Sequence, residues 1–191
     1  MQINDNISRE ADIIETPVDR SRVFDGLIIH VDHAHYKLPN GRIAPREIAV
    51  HVGASAIVPI DENGCVTLVR QFRAPLGRVL LEIPAGKLDS REEDRLLAAK
   101  RELEEETGLS AAKWTHLNDI ATTPGFCDEV ISLYLAEELS QGETHPDEDE
   151  FLNIVRMPLE EACGMVMRGE IGDSKTVIAL LMAKEILSAR R

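Results

Sequence analysis

Aromatic residues are scarce: one Trp, two Tyr and four Phe make up 4% of the 191 residues, which leaves few rings to stack on a base. Cysteine is scarcer still. Cys65, Cys127 and Cys163 are odd in number, widely spaced and free of any Cys-x-x-Cys pairing, so neither a disulfide framework nor a zinc ribbon is indicated. No apolar run approaches the length of a membrane-crossing helix, and the first 20 residues have no basic start followed by an apolar stretch. Basic residues are outnumbered, 21 Lys and Arg against 34 Asp and Glu, for a formal charge of -13. That balance speaks against nonspecific nucleic-acid or anionic-membrane binding, since both reward a basic surface. A Gly-x-x-x-x-Gly-Lys-Ser/Thr phosphate loop, a Gly-x-Ser-x-Gly nucleophile elbow, internal repeats and low-complexity tracts are absent as well. The expectation is a soluble, cytoplasmic protein without nucleic-acid or membrane partners, in which any anionic ligand meets a metal or local arginines.

What is present is concentrated between Gly86 and Leu109. The stretch GKLDSREEDRLLAAKRELEEETGL predicts a helix opened by a Ser90/Glu93 capping box, with Glu92, Glu93 and Asp94 in its first turn and Gly108 as its stop. At about 100° per residue, Leu96, Ala99 and Leu103 form an apolar stripe. Glu102, Glu105 and Glu106 share the neighbouring arc, and Glu104 points away. Three carboxylates near a helix C-terminus oppose the macrodipole and lower stability unless something positive offsets them. The i,i+4 pairs Lys100/Glu104 and Arg101/Glu105 run base before acid, the weaker orientation, and Glu102 and Glu106 gain no such partner. A solvated acidic helix is the plain reading of a Glu-rich run. Mg2+ or Mn2+ held by a few carboxylates together with substrate phosphate oxygens accounts for more of this pattern.

Along the chain, residues 1–20 are polar without clear period and read as a loosely held arm. Strand signals follow at Val23 to Val31, Tyr36 to Leu38 and Arg46 to Val50, with a turn at Pro39-Asn40-Gly41, giving a small antiparallel element over 21–52. The remaining 53–191 form the main domain. Strands are expected at Ala54 to Ile60, Cys65 to Gln71, Val79 to Ile83, His116 to Thr122, Val130 to Ala136 and Phe151 to Met157, and an acidic loop at Glu137 to Glu150. Helical spacing follows Pro158, with Met167 in the core, and again over Ser174 to Leu187, which is buried or lies in a subunit contact. This order predicts an α+β fold, an α/β/α sandwich around a mixed sheet, with a separate N-terminal antiparallel sheet. Of His30, His33 and His35, the last two would share a strand face, but with no cysteine nearby and no third ligand at the usual spacing they do not indicate zinc.

The segment Gly86 to Leu109 resembles the Nudix box, Gly-x5-Glu-x7-Arg-Glu-apolar-x-Glu-Glu-x-Gly-apolar, with Arg101, Glu102, Leu103, Glu105, Glu106, Gly108 and Leu109 in register. Six residues, not five, separate Gly86 from Glu93; the extra one falls before the helix, where a bulge is expected. LVRQFR (68–73), LEIPAGKLD (81–89), TPGFCDE (123–129) and GDSKT (172–176) extend the resemblance to the ADP-ribose pyrophosphatase and nucleoside diphosphate sugar hydrolase branch, over roughly residues 22–187. Pro124, 16 residues after Gly108 (124 minus 108), stands where a proline marks the ADP-ribose group.

The resemblance implies the Nudix fold, a homodimer through the N-terminal strands, and metal-dependent hydrolysis of ADP-ribose to AMP and ribose 5-phosphate. Its metal ligands would be Glu102, Glu105, Glu106, the carbonyl of Ala85 and, as an auxiliary, Glu150, with Gly86 admitting the close backbone approach. Glu148 would be the general base, with Glu105 as the alternative; a solvated acidic loop is the plain reading of 146–151. Glu93 would brace Arg101. Arg73, whose guanidinium suits paired hydrogen bonds to a diphosphate, Arg46 at the nucleotide end, Pro124, and Glu82 are the substrate-side candidates. Glu82 reads equally as a buried structural carboxylate. GDP-mannose or another nucleoside diphosphate sugar is the alternative substrate, since only Phe24 and Tyr36 among the N-terminal strands can stack on a base and Ile28 stands where some adenine-binding relatives carry an aromatic. A noncatalytic nucleotide-binding regulator is a third reading.

Overall fold

A computed structural model describes residues 12–142 and 151–190. The chain divides into two compact units, one holding the N-terminal residues through His51 together with Thr123–Glu129, the other Val52–Thr122 and Val130 onward.

The first unit is a three-stranded antiparallel sheet of β1 (Thr16–Asp25), β2 (His30–Lys37) and β3 (Ile43–Val50), in that order. β1 begins inside the stretch that composition marks as an arm, and the apolar run Val23 to Val31 is divided by a tight turn in which the Gly26 N–H donates to Ile29 O at 2.9 Å. Polar β1 residues are held in the sheet by charge. Arg20 and Arg22, on one face by strand alternation, both clasp the buried Asp32 carboxylate of β2. The turn after β2 lies where Pro39-Asn40-Gly41 predicts it, with the Gly41 N–H on Leu38 O at 2.8 Å. Segment Thr123–Glu129 runs beside the end of β3 through Ala49 N–H to Phe126 O (2.7 Å) and His51 N–H to Asp128 Oδ1 (2.6 Å).

In the second unit, β4 (Ala54–Pro59) and β9 (Val130–Gln141) pair in parallel at the centre of a mixed sheet ordered β7-β4-β9-β8, completed by β7 (Ala85–Lys87) and β8 (Leu109–Ala121). A second sheet, β10-β5-β6, is antiparallel, from β5 (Cys65–Arg73), β6 (Arg78–Glu82) and β10 (Asn153–Pro158). Helix α1 (Arg95–Thr107) packs against β4 and β7, while α2 (Leu159–Met167) and α3 (Ser174–Ala189) pack on each other and α3 on β9 and β4. Period-2 alternation divides the central strands between two cores. Ala54, Ala56 and Val58 with Ile131, Leu133 and Leu135 join Leu180, Ala183 and Ala162 beneath α2 and α3. Ile57, Tyr134 and Ala136 face Ala99 and Leu103 of α1, with Leu96 packed alongside, which is the apolar stripe read from the sequence. This is the α+β sandwich expected of the chain.

Several local expectations are corrected. Helix α1 starts at Arg95, and Asp94 is its N-cap, accepting from the Leu96 and Leu97 N–H groups at 2.9 Å each. Ser90 and Glu93 instead close a turn before the helix: Ser90 Oγ accepts from Glu92 N–H (3.3 Å) and Glu93 Oε2 from Asp89 N–H (2.6 Å). No acid lies in the helix's first turn. Met167 is exposed, at the last position of α2. β9 continues through Gln141, into the stretch expected to loop, because Lys113 and Arg190 neutralise Glu137 at 2.9 and 2.7 Å and β8 pairs along its length.

Candidate active site

Strand β6 ends at the buried Glu82, two residues follow, and the three-residue β7 runs against α1. Glu102 and Glu106, one helical turn apart, are buried on the helix face turned to β7, whereas Glu105 is partly exposed and Glu104 exposed. Adjacent β7 residues receive the two buried acids. The Ala85 N–H donates to Glu106 Oε2 at 3.1 Å. At Gly86 a Cβ would lie 2.0 Å from Glu102 Cδ, so only glycine admits that carboxylate against the strand. Gly108, at φ 69°, caps the helix with its N–H on Glu104 O at 2.8 Å, a left-handed conformation that favours glycine. The same residue's carbonyl accepts from the Gly142 N–H at 2.7 Å.

Glu102 and Glu106 therefore do have partners, contrary to the helix-only reading. Arg101 reaches across its own turn: Nη1 donates to Glu102 Oε1 at 2.6 Å and to Glu105 Oε2 at 3.1 Å, and Nη2 donates to Lys87 O at 3.3 Å. Its Nη2 also lies 3.6 Å from Glu93 Oε1, the brace expected of that pair. Burial works against the Arg101 charge, but Glu102, Glu105 and Asp89 outweigh it and hold the pKa above its ordinary value. No basic residue occupies the helix's last turn, so the guanidinium of Arg101, further back in the helix, is the cation that meets Glu102 and Glu105 near the negative pole.

The donor set fits a hard divalent cation. Two carboxylates share a dry face against a strand that a side chain at position 86 would block. Among the described residues no three His, Cys, Asp or Glu side chains form a ready-made cage. Mg2+ chemistry asks for no such cage, because the ion takes one or two carboxylates and fills its octahedron with water and substrate phosphate oxygens. Glu148 and Glu150 lie outside the described residues.

A second group of charges adjoins Ala85. Arg73, at the end of β5, holds the Glu82 carboxylate side-on, Nε to Oε1 at 2.8 Å and Nη2 to Oε2 at 2.7 Å. Lys175, in the first turn of α3, is buried and also donates to Glu82 Oε2, while its Nζ lies 3.1 Å from Asp173 Oδ2. Asp173 caps α3 through the Thr176 N–H at 3.1 Å and takes the Thr176 hydroxyl at 2.5 Å; Thr176 Oγ1 in turn accepts from Ile83 N–H at 2.9 Å. Burial pushes the Glu82 carboxyl upward, but hydrogen bonds from Arg73 and the charge of Lys175 prevail and hold its pKa below the ordinary value. Glu82 raises the Arg73 pKa, with smaller contributions from Asp173 and Glu106, so Arg73 feels the field of the carboxylate cluster. Lys175, Asp173 and Thr176 carry no role in the sequence reading, although GDSKT contains all three.

Arg46 and Pro124 belong to the first unit. Arg46 pairs with Glu15, its Nε 3.1 Å from Oε2, and its Nη1 donates to Pro45 O at 2.9 Å. Pro124 lies in the Thr123–Glu129 segment, where the Cys127 N–H donates to Thr123 O at 3.0 Å. Two clefts of about 620 and 360 Å³ lie elsewhere in the second unit, lined by residues such as Asp61, Leu139 and Arg156.

A mixed sheet between helices, with buried glutamates of its first helix turned onto a Gly-containing strand, is an arrangement suited to a divalent-metal phosphohydrolase. The NUDIX domain family model matches residues 49–180. The chain is 41% identical over 181 residues to an ADP-ribose pyrophosphatase of Bacillus subtilis (strain 168), covering 93% of this chain and 97% of the relative. Over 168 residues it is 41% identical to a methanol dehydrogenase activator of Bacillus methanolicus, covering 87% and 90%. It is 33% identical over 141 residues to a GDP-mannose pyrophosphatase of Yersinia enterocolitica serotype O:8, covering 69% and 73%. In fold it matches the crystal structure of an ADP compounds hydrolase with a TM-score of 0.81 at 24% identity, over 92% of this chain and 95% of that one. The chain belongs to the NUDIX family.

Proposed function

We propose that this Nudix hydrolase of the ADP-ribose pyrophosphatase type splits the pyrophosphate bond of ADP-ribose, with water, into AMP and ribose 5-phosphate. The observation that carries the reading is the pair of buried carboxylates, Glu102 and Glu106, laid against Ala85 and Gly86. They would hold Mg2+, or Mn2+, together with the Ala85 carbonyl, Glu105 and Glu150. When bound, the ion polarises phosphoryl oxygens and offsets charge on the leaving phosphate. Arg101 orients Glu102 and Glu105. Arg73 holds the diphosphate, with Glu82 fixing its guanidinium. Glu148, or Glu105 in its place, takes a proton from the attacking water as the new P–O bond forms and the bridging bond breaks. Arg46 is the candidate for the nucleotide end, and Pro124 is a further substrate-side candidate.

The chain acts as a homodimer through its N-terminal strands in this reading; β1 is exposed along its whole length, as are Phe24 and Ile28. A cytoplasmic location accords with three unpaired cysteines and the excess of acid. No described helix is long and apolar enough to cross a membrane.

GDP-mannose is the second substrate reading, supported by the Yersinia relative and by the scarcity of rings for base stacking. The Bacillus methanolicus relative supports a regulatory role as a third reading. Measuring kcat/KM for ADP-ribose, GDP-mannose and dinucleotides, with and without Mg2+, tests all three. Preference for ADP-ribose under Mg2+ supports the proposal. A higher value for GDP-mannose transfers the substrate, and tight binding of every compound without turnover establishes the regulator.

A further inference from the structure

Arg73 spends one edge of its guanidinium on Glu82, through Nε and Nη2, while Nη1 takes no part in that pair. Its side chain is 38% exposed, against 2% for Glu82. A buried carboxylate this close would cancel the charge that a diphosphate has to feel. Glu82 does not act alone, however: Lys175, itself 9% exposed, donates to the same Oε2 that Arg73 Nη2 contacts. We propose that Lys175 is a positioning residue for diphosphate recognition, sharing Glu82 with Arg73 so that the guanidinium stays aligned by that carboxylate while less of its positive charge is cancelled. The arrangement separates two demands that one Arg–Glu pair cannot meet, fixed orientation and unspent charge. Asp173 moderates it, since its Oδ2 draws on Lys175 at 3.1 Å. The inference rests on the assignment of Arg73 to the diphosphate.

Two variants test it with opposite signs. Lys175→Met is expected to raise the KM for ADP-ribose about tenfold with kcat within about threefold, and Lys175→Arg to recover most of the loss. In an Arg73→Ala background Lys175→Met should raise KM much less than in the wild type, whereas a merely structural lysine would give the same loss in both backgrounds. Asp173→Asn keeps a side-chain oxygen to cap α3 but no longer competes for Lys175, so KM should fall about twofold to threefold. This variant also carries the test should Lys175→Met not fold. Titration with inorganic pyrophosphate and Mg2+ makes the same comparisons without turnover or sugar, so failure of the substrate reading, seen as wild type that does not hydrolyse ADP-ribose, is distinguishable from failure here. Equal pyrophosphate affinity in folded Lys175→Met and wild type, or an unchanged or weaker affinity in Asp173→Asn, would overturn the proposal.

Discussion

Replacing Gly86 by Ala adds one methyl group at the most crowded point of the site. Its carbon would lie 2.0 Å from Glu102 Cδ and Oε2 and 2.2 Å from Oε1, so the carboxylate has to retreat by more than 1 Å to reach ordinary contact. Glu102 is buried and held by Arg101 at 2.6 Å, which leaves little slack. Overpacking of this kind costs about 1–3 kcal/mol. For a chain of this size that is a fall in Tm of about 2–12 °C, measurable by calorimetry or urea unfolding. A ligand displaced by about 1 Å should also lower turnover about 100-fold. The decisive comparison is the same substitution in Glu102→Ala, where the obstructing carboxylate is gone and the stability cost should drop below about 0.5 kcal/mol. If Gly86→Ala is as costly there as in the wild type, or costs nothing in either, Glu102 does not occupy the position on which the metal assignment depends.

Glu106→Gln should fold while losing the rise in Tm that Mg2+ gives the wild type, a rise worth about 2.7 kcal/mol at a hundred times Kd; an undiminished rise would remove Glu106 from the ligand set. Glu148→Gln is expected to lower kcat sharply with metal affinity retained, and an unchanged rate would transfer the base to Glu105. Asp94→Ala should destabilise by about 1 kcal/mol and Asp94→Asn hardly at all, because two N–H groups of α1 lose their acceptor only in the first; equal effects in denaturant unfolding would contradict the cap. The folded Glu82 carboxyl titrates below its unfolded value of about 4.3, so its contribution to stability is complete above that pH and is lost as pH falls through the lower, folded value. Urea unfolding between pH 3 and 6 should therefore show a weaker acid decline in Glu82→Gln than in wild type, and parallel curves would refute this account.

The acidic face of α1 was legible because helix periodicity, Gly108 and the spacing of Glu102, Glu105 and Glu106 are all local. Its first turn was not, since Ser90/Glu93 and Asp94 compete for the same role and the capping box satisfies its hydrogen bonds in the preceding turn. β7 is not legible because three residues, Ala-Gly-Lys, carry no period; its pairing with β4 makes it a strand. Polar β1 and the far end of β9 depend on Asp32 and Glu137 finding cations on other strands or helices. Lys175 lies 93 residues from Glu82, a separation at which no local pattern announces a contact. Arg73 and Glu82 were each legible as site candidates, but their partnership required the antiparallel return of β6 along β5.

The hydrogen bond from Gly142 to the carbonyl of Gly108 moors the chain at the end of the helix that carries Glu106. A side chain at position 142 would put its Cβ 3.2 Å from the Gly108 carbonyl oxygen, so the two backbones meet closely as well as by a short hydrogen bond. The far end of β9 and the C-terminus of α1 are thereby tied to each other, so the strand at the centre of the sheet and the helix bearing the carboxylates share an anchor.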